Sequence, residues 1–181
     1  MKLHLGCGGN LFKGWVNVDK YCGCDLRVDV VKLPGVRQDS VTEIYTCHMV
    51  EHLSPNQFRR GLVRWYKVLK KGGIIVIRCP DAGVKMKNWL KATDKERLSE
   101  KKYKHSILGL QTSPGQYNRN LMTVGMLKLY VEEAGFKVLE SRLVSVRHPN
   151  LYNSMRAGGR DAGRVDKRYR IEDAWCKAVK E

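Results

Sequence analysis

The sequence has no long hydrophobic run. Its longest purely aliphatic stretch is Ile74-Ile75-Val76-Ile77, far short of the ~20 apolar residues that cross a bilayer as a helix. The opening Met1-Lys2-Leu3-His4-Leu5-Gly6 lacks the apolar core of a secretion signal. The six cysteines, at positions 7, 22, 24, 47, 79 and 176, are therefore expected to be reduced thiols and the chain to be cytoplasmic. Acidic side chains are scarce, 18 Asp and Glu against 34 Lys and Arg, for a formal net charge of +16 over 181 residues. There is no internal repeat and no low-complexity tract. These absences argue against a membrane protein, a secreted disulfide scaffold and a fibrous protein. A cytoplasmic enzyme or a nucleic-acid binder remains.

What is present is ordinary in bulk. Hydrophobic residues at 43% and charged residues at 29% suit a folded chain, and the length suits one domain covering residues 1–181. The basic excess runs through both halves, with denser stretches at 59–71, 95–104 and 156–170. A nucleic-acid partner is therefore one expectation and a solvated basic surface the other.

Short strands are expected at Lys2–Leu5, Trp15–Val18, Arg27–Val31 and Glu43–Cys47. Ser54-Pro55 then opens a helix, Ser as N-cap and Pro at the first helical position. Phe58, Leu62, Trp65 and Leu69 form its apolar face, and Lys70-Lys71-Gly72 is expected to end it. Ile74–Ile77 reads as a central parallel strand broken by Cys79-Pro80-Asp81. Residues of about 83–105 read as helical and 109–120 as a loop. A helix capped by Thr123 runs through Ala134 to Gly135 and leads into a strand from Val138 to Val146. A long basic loop at about 148–170 and a last strand at about 172–179 follow. Strands alternating with helices predict an α/β, Rossmann-like, mostly parallel sheet with helices on both faces and an antiparallel edge strand. Only about nine residues separate the first two strands, too few for the helix of a parallel crossover, so that helix is reduced to a turn.

In open α/β sheets ligands sit beyond the carboxyl ends of the strands. The residues expected there are Gly6–Gly9, Asp19, Asp29, His48–His52 and Cys79–Asp81. Gly6-Cys7-Gly8-Gly9 lets backbone approach a ligand closely, or is only a tight turn. A carboxylate at Asp19 can accept both hydroxyls of a ribose, and one at Asp29 the amine of an adenine, or each can cap a turn. A dinucleotide site is disfavoured, because its third glycine must open a real helix and its acidic residue comes about 20 residues on. An adenosine without a pyrophosphate fits better.

Leu3-His-Leu-Gly-Cys-Gly8 followed by Gly14-Trp-Val-Asn-Val-Asp19 resembles the opening of the class I S-adenosylmethionine-dependent methyltransferases, in particular small members with a shortened first helix. The agreement continues in order through Val28-Asp29 with Leu33-Pro34, Cys47-His-Met-Val-Glu51-His52-Leu53, Trp65 to Gly73, Ile77 to Pro80-Asp81, and Leu129 to Gly135-Phe136. The resemblance implies that Leu5, Gly6, Cys7, Gly8 and Gly9 contact the methionine part of S-adenosylmethionine, Asp19 the ribose and Asp29 the adenine edge. It places His48 beside the methyl sulfonium, and it implies that S-adenosylhomocysteine is the product. Glu51-His52 matches a family pair whose work is often structural.

No catalytic signature stands out. Cys79-Pro80-Asp81 is not the Asn/Asp-Pro-Pro-aromatic tetrapeptide of amino-methylating DNA enzymes, and no Pro-Cys pair suits a cytosine-C5 nucleophile. His48, His52 and Asp81 are the candidate bases for a protonated acceptor. The acceptor, nucleic acid or a small metabolite or sugar, is left open. The alternative is a non-catalytic binder of cofactor or nucleic acid with the same fold. Cys22-Gly-Cys24 with Cys47, His48 and His52 lacks the usual zinc spacing, so no metal is expected. Tyr117-Asn118-Arg119-Asn120 reads as substrate-side polar residues or a surface loop, and 148–170 as a strand-binding mix of cation and aromatic or a plain basic loop.

Overall fold

Period-two burial in the strands and one long amphipathic helix organise the chain. The structure is a computed structural model that describes residues 1–98, 105–111, 115–147 and 170–181. Its strands are β1 (Lys2–Leu5), β2 (Val16–Val18), β3 (Val41–Cys47), β4 (Leu69–Pro80), β5 (Lys137–Arg147) and β6 (Arg170–Val179). They form one sheet in the order β2-β1-β3-β4-β6-β5. The pairs from β2 to β4 are parallel, and β6 runs antiparallel to both β4 and β5. The sheet is thus mostly parallel with an antiparallel edge. The basic loop expected at about 148–170 lies, but for its last residue, outside the described residues.

The helices are α1 (Pro55–Val68), α2 (Ala82–Lys91), α3 (Asp94–Arg97), α4 (His105–Leu108) and α5 (Val124–Glu133), with one 3-10 turn at Val50–His52. Ser54 caps α1 as expected: its hydroxyl accepts from Gln57 N, and the Gln57 side chain accepts from Ser54 N. Phe58, Leu62 and Trp65 on α1 are fully buried against the sheet residues Leu3, Leu5, Ile44, Ile75 and Ile77, each worth about 1.5–3 kcal/mol of burial. α5 buries Leu127 and Val131 in the same core. Near β1 the opposite face carries aromatic rings instead of a crossover helix: Phe12 stacks on His4 with centroids 4.0 Å apart, and Trp15 and Tyr45 pack around them. Among the described residues, no helix is long and apolar enough to cross a membrane.

Two expected elements differ. Arg27–Val31 forms no strand; Leu26 makes only an isolated bridge to Val18. The Asp29 carboxylate accepts from Val31 N and its carbonyl from Lys32 and Leu33 N, so local turn bonding takes the donors a ladder would need. The Val30 carbonyl is held by Trp65 Nε1 at 2.8 Å. The second difference is the end of α1, which stops at Val68 rather than at Lys70-Lys71-Gly72. Leu69 is extended and fully buried, pairs with Val41, and starts β4 two residues before Lys71. Gly72, at φ +75°, then turns the chain.

Candidate active site

The carboxyl ends of β1 to β3 open into a cavity of about 980 Å³, within the range of small-molecule sites. The glycine turn after β1 forms one wall. Gly6 and Cys7 N–H groups donate to the Val18 carbonyl, which fastens the turn to β2. Gly6 adopts φ +66°, and a Cβ there would lie 2.1 Å from Met49 Cγ, so Met49 packs directly under the turn. Gly8 is also left-handed, at φ +52°, and meets nothing within 4 Å at its Cβ position. Backbone can therefore be approached closely at Gly8, which lines the cavity with Gly6, Cys7 and Gly9. Leu5 is fully buried in the core beneath and does not line the cavity.

Asp19 stands at the end of β2 on the cavity wall. One carboxylate oxygen accepts from Gly8 N at 2.9 Å and the other from Tyr21 N at 2.8 Å. It braces the glycine turn, and each oxygen keeps a lone pair for another donor. Asp29 also lines the cavity, with Oδ1 taken by Val31 N. These positions fit an adenosine: two carboxylates supply acceptors, while Val30, Leu53 and the rings of Tyr21 and Phe12 supply apolar wall. The turn readings of both residues hold, since each carboxylate orders its own loop.

The three candidate bases separate. His48 lines the cavity in the left-handed region, φ +53°, an uncommon conformation for a non-glycine residue. Its Nε2 donates to Asp173 Oδ2 at 2.9 Å, and its Nδ1 lies 3.7 Å from Glu51 Oε1. Both ring nitrogens therefore face carboxylates. Asp173 is fully buried and also accepts from Arg78 Nε. Burial works against its charge, but His48 and Arg78 outweigh burial and hold its carboxyl below the usual value. Asp81 is not part of the cavity wall. It caps α2 through Val84 N at 2.9 Å and holds the start of α5 through Val124 N at 3.0 Å, which is a structural task.

His52 is placed differently. It lines the cavity, and its Nδ1 donates to the Tyr117 carbonyl at 3.1 Å. In the neutral ring that bond leaves Nε2 as the unprotonated nitrogen. The segment 117–120 is docked on the same turn: Arg119 N and Asn120 N both donate to the Glu51 carbonyl, and Arg119 Nη1 donates to Gln57 Oε1. Tyr117, Asn118 and Arg119 line the cavity, and Asn120 does not. Sequence reasoning missed Phe12 and Tyr45 as wall residues. Their apolar character was the only signal, and it reads equally as core.

The cysteines gather in an unforeseen way. Cys22 and Cys24 approach Cys7 in the glycine turn, rather than Cys47, His48 or His52. Burial, and next the hydrogen bond to Cys22, push the Cys7 thiol well up, and burial with the Asp19 charge pushes Cys22 up to about 11.

No protein-family model and no curated protein matches the chain. Solved structures do. A SAM-dependent methyltransferase from Methanosarcina mazei superposes with a TM-score of 0.61 at 12% identity, covering 99% of this chain and 91% of that one. One from Thermotoga maritima gives 0.62 at 13% identity, over 99% and 81%. One from Archaeoglobus fulgidus gives 0.60 at 16% identity, over 99% and 85%. The fold is thus that of the class I S-adenosylmethionine-dependent methyltransferases.

Proposed function

We propose that this chain binds S-adenosylmethionine in the cavity and transfers its methyl group to an acceptor, leaving S-adenosylhomocysteine. The observation that carries this reading is the convergence on one cavity of the left-handed Gly6–Gly8 turn, braced by Asp19, and a second carboxylate at Asp29. Gly8 and its neighbours would hold the methionine part, Asp19 the ribose hydroxyls and Asp29 the adenine amine. When bound, the cofactor supplies a methyl group on a sulfonium, ready for in-line displacement.

This chain's residues contribute position and exclusion of water, which can supply much of the rate. His48, pinned between Asp173 and Glu51, walls the cavity rather than exchanging protons. His52 is the base: Tyr117 fixes its tautomer, and Nε2 takes the proton of a protonated acceptor. The net charge of +16 supports a polyanionic acceptor such as nucleic acid. The absence of an amino-methylating tetrapeptide supports a small metabolite or sugar.

The test is transfer of labelled methyl from S-adenosylmethionine to RNA, DNA and pools of small hydroxylated metabolites. His52→Asn keeps a donor for the Tyr117 carbonyl and removes the base. It should lower kcat by roughly 10²–10⁴-fold while leaving cofactor affinity within a few-fold. Label transfer by wild type to none of these pools, with the cofactor bound, would favour a non-catalytic binder. The engagement of His48 Nε2 by Asp173, with Glu51 beside Nδ1, is the observation that keeps that second reading in view.

A further inference from the structure

Cys7 belongs to the glycine turn after β1, and Cys22 and Cys24 to the loop after β2. Their sulfurs nonetheless lie within 4.8 Å of one another, with Cys7 Sγ to Cys22 Sγ at 3.8 Å. A tetrahedral zinc ion with Zn–S bonds of about 2.3 Å requires sulfur pairs about 3.8 Å apart. A disulfide would need about 2.05 Å. The other contacts of these sulfurs are weak ones to backbone carbonyls: Gly8 from Cys7 at 3.6 Å, and Asp19 and Leu26 from Cys24 at 3.6 and 3.4 Å. Cys7 is buried and the other two half-buried, so the group is shielded without being sealed.

We propose that Cys7, Cys22 and Cys24 form a binding site for a thiophilic divalent cation, zinc in particular. Thiolate donors select such ions over the hard cations that prefer oxygen. Three protein ligands leave a fourth position for water or for a donor from the cavity, which Cys7 and Cys22 line. The ion ties the glycine turn to the loop after β2. Those are the two segments that Asp19 already joins through Gly8 N and Tyr21 N, in a fold with no helix in its first crossover. The Cys-x-Cys spacing alone pointed away from zinc; the third ligand comes from a turn fifteen residues earlier. The site shares a wall with the proposed cofactor cavity, but its test needs no cofactor, so it stands or falls separately from the methyl-transfer reading.

The experiment uses the full chain, reduced and stripped with a chelator, then titrated with cobalt(II) as the spectroscopic probe. The expected result is uptake of one equivalent, with a thiolate-to-cobalt charge-transfer band and the intense d–d bands of tetrahedral coordination. Zinc should displace the cobalt, and added zinc should raise the thermal midpoint of unfolding. Cys22→Ser and Cys24→Ser should each lose the charge-transfer band, while Cys176→Ala, buried in the sheet core, should keep it. Three results would overturn the proposal: no thiolate band in the folded wild type, a band that survives undiminished in either serine variant, or a Cys7–Cys22 disulfide persisting under reductant in place of metal uptake.

Discussion

Gly6 and Gly8 stand two residues apart in one turn, both left-handed, and the structure gives them different work. At Gly6 a methyl group would collide with Met49 Cγ at 2.1 Å. Gly6→Ala should therefore lose at least about 2 kcal/mol of stability from overpacking and backbone strain, read by denaturant unfolding. At Gly8 the same methyl meets no atom within 4 Å, so Gly8→Ala should lose only about 1 kcal/mol. Its larger effect should be on cofactor affinity, because the added methyl occupies the cavity wall. Equal stability losses in the two variants would contradict this division. At this scale the sequence was informative where a residue type has few uses. A glycine cluster after a short strand and an aspartate ending the next could be assigned a place at once. Phe12 and Tyr45 could not, because their cavity position depends on how residues 6–15 fold back over β1 and β3.

Between elements, two buried carboxylates hold the strand ends together. Asp81 joins β4 to α2 and α5. Asp81→Ala leaves two backbone N–H groups without an acceptor, and should cost about 1–3 kcal/mol, seen as a lower thermal midpoint. Affinity for S-adenosylhomocysteine should be unchanged in the folded fraction; a selective loss of affinity would return Asp81 to the site. Asp173 joins β6 to β3 and β4 through His48 and Arg78. Its carboxyl lies below the usual value in the folded protein. Its stabilising contribution is therefore fully present above the unfolded value of about 3.9 and lost as pH falls through the folded one. Asp173→Asn should cost about 3–5 kcal/mol at neutral pH and flatten the acid limb of the stability curve. Superimposable acid limbs for variant and wild type would contradict the account.

The elements themselves were legible where local and tertiary signals agree. The Ser54-Pro55 cap with Phe58, Leu62 and Trp65 predicts α1 and its buried face, and both are present. They were illegible where the two compete. Arg27–Val31 has the alternation of a strand, but Asp29 bonds its own neighbours, and the segment becomes a turn. Leu69 continues the helical spacing of α1, yet pairing with Val41 in the sheet takes it into β4.

For the whole molecule, alternating strands and helices were enough to anticipate a mostly parallel sheet, and the short first crossover explains the aromatic cover over β1. The order that places β6 between β4 and β5 was not readable, because it rests on pairings across the long interval between β5 and β6. The site assembles only at this scale: the glycine turn comes from β1, the carboxylates from the segments around and after β2, and His48 and His52 from beyond β3. The claim that joins them is cofactor binding in the 980 Å³ cavity. Calorimetric titration with S-adenosylhomocysteine tests it most directly, on wild type and on Asp19→Ala, with folding of both checked by circular dichroism. Micromolar binding to wild type, lost in the folded variant, is the expected result. No heat with folded wild type at several temperatures, or undiminished binding to Asp19→Ala, would contradict it.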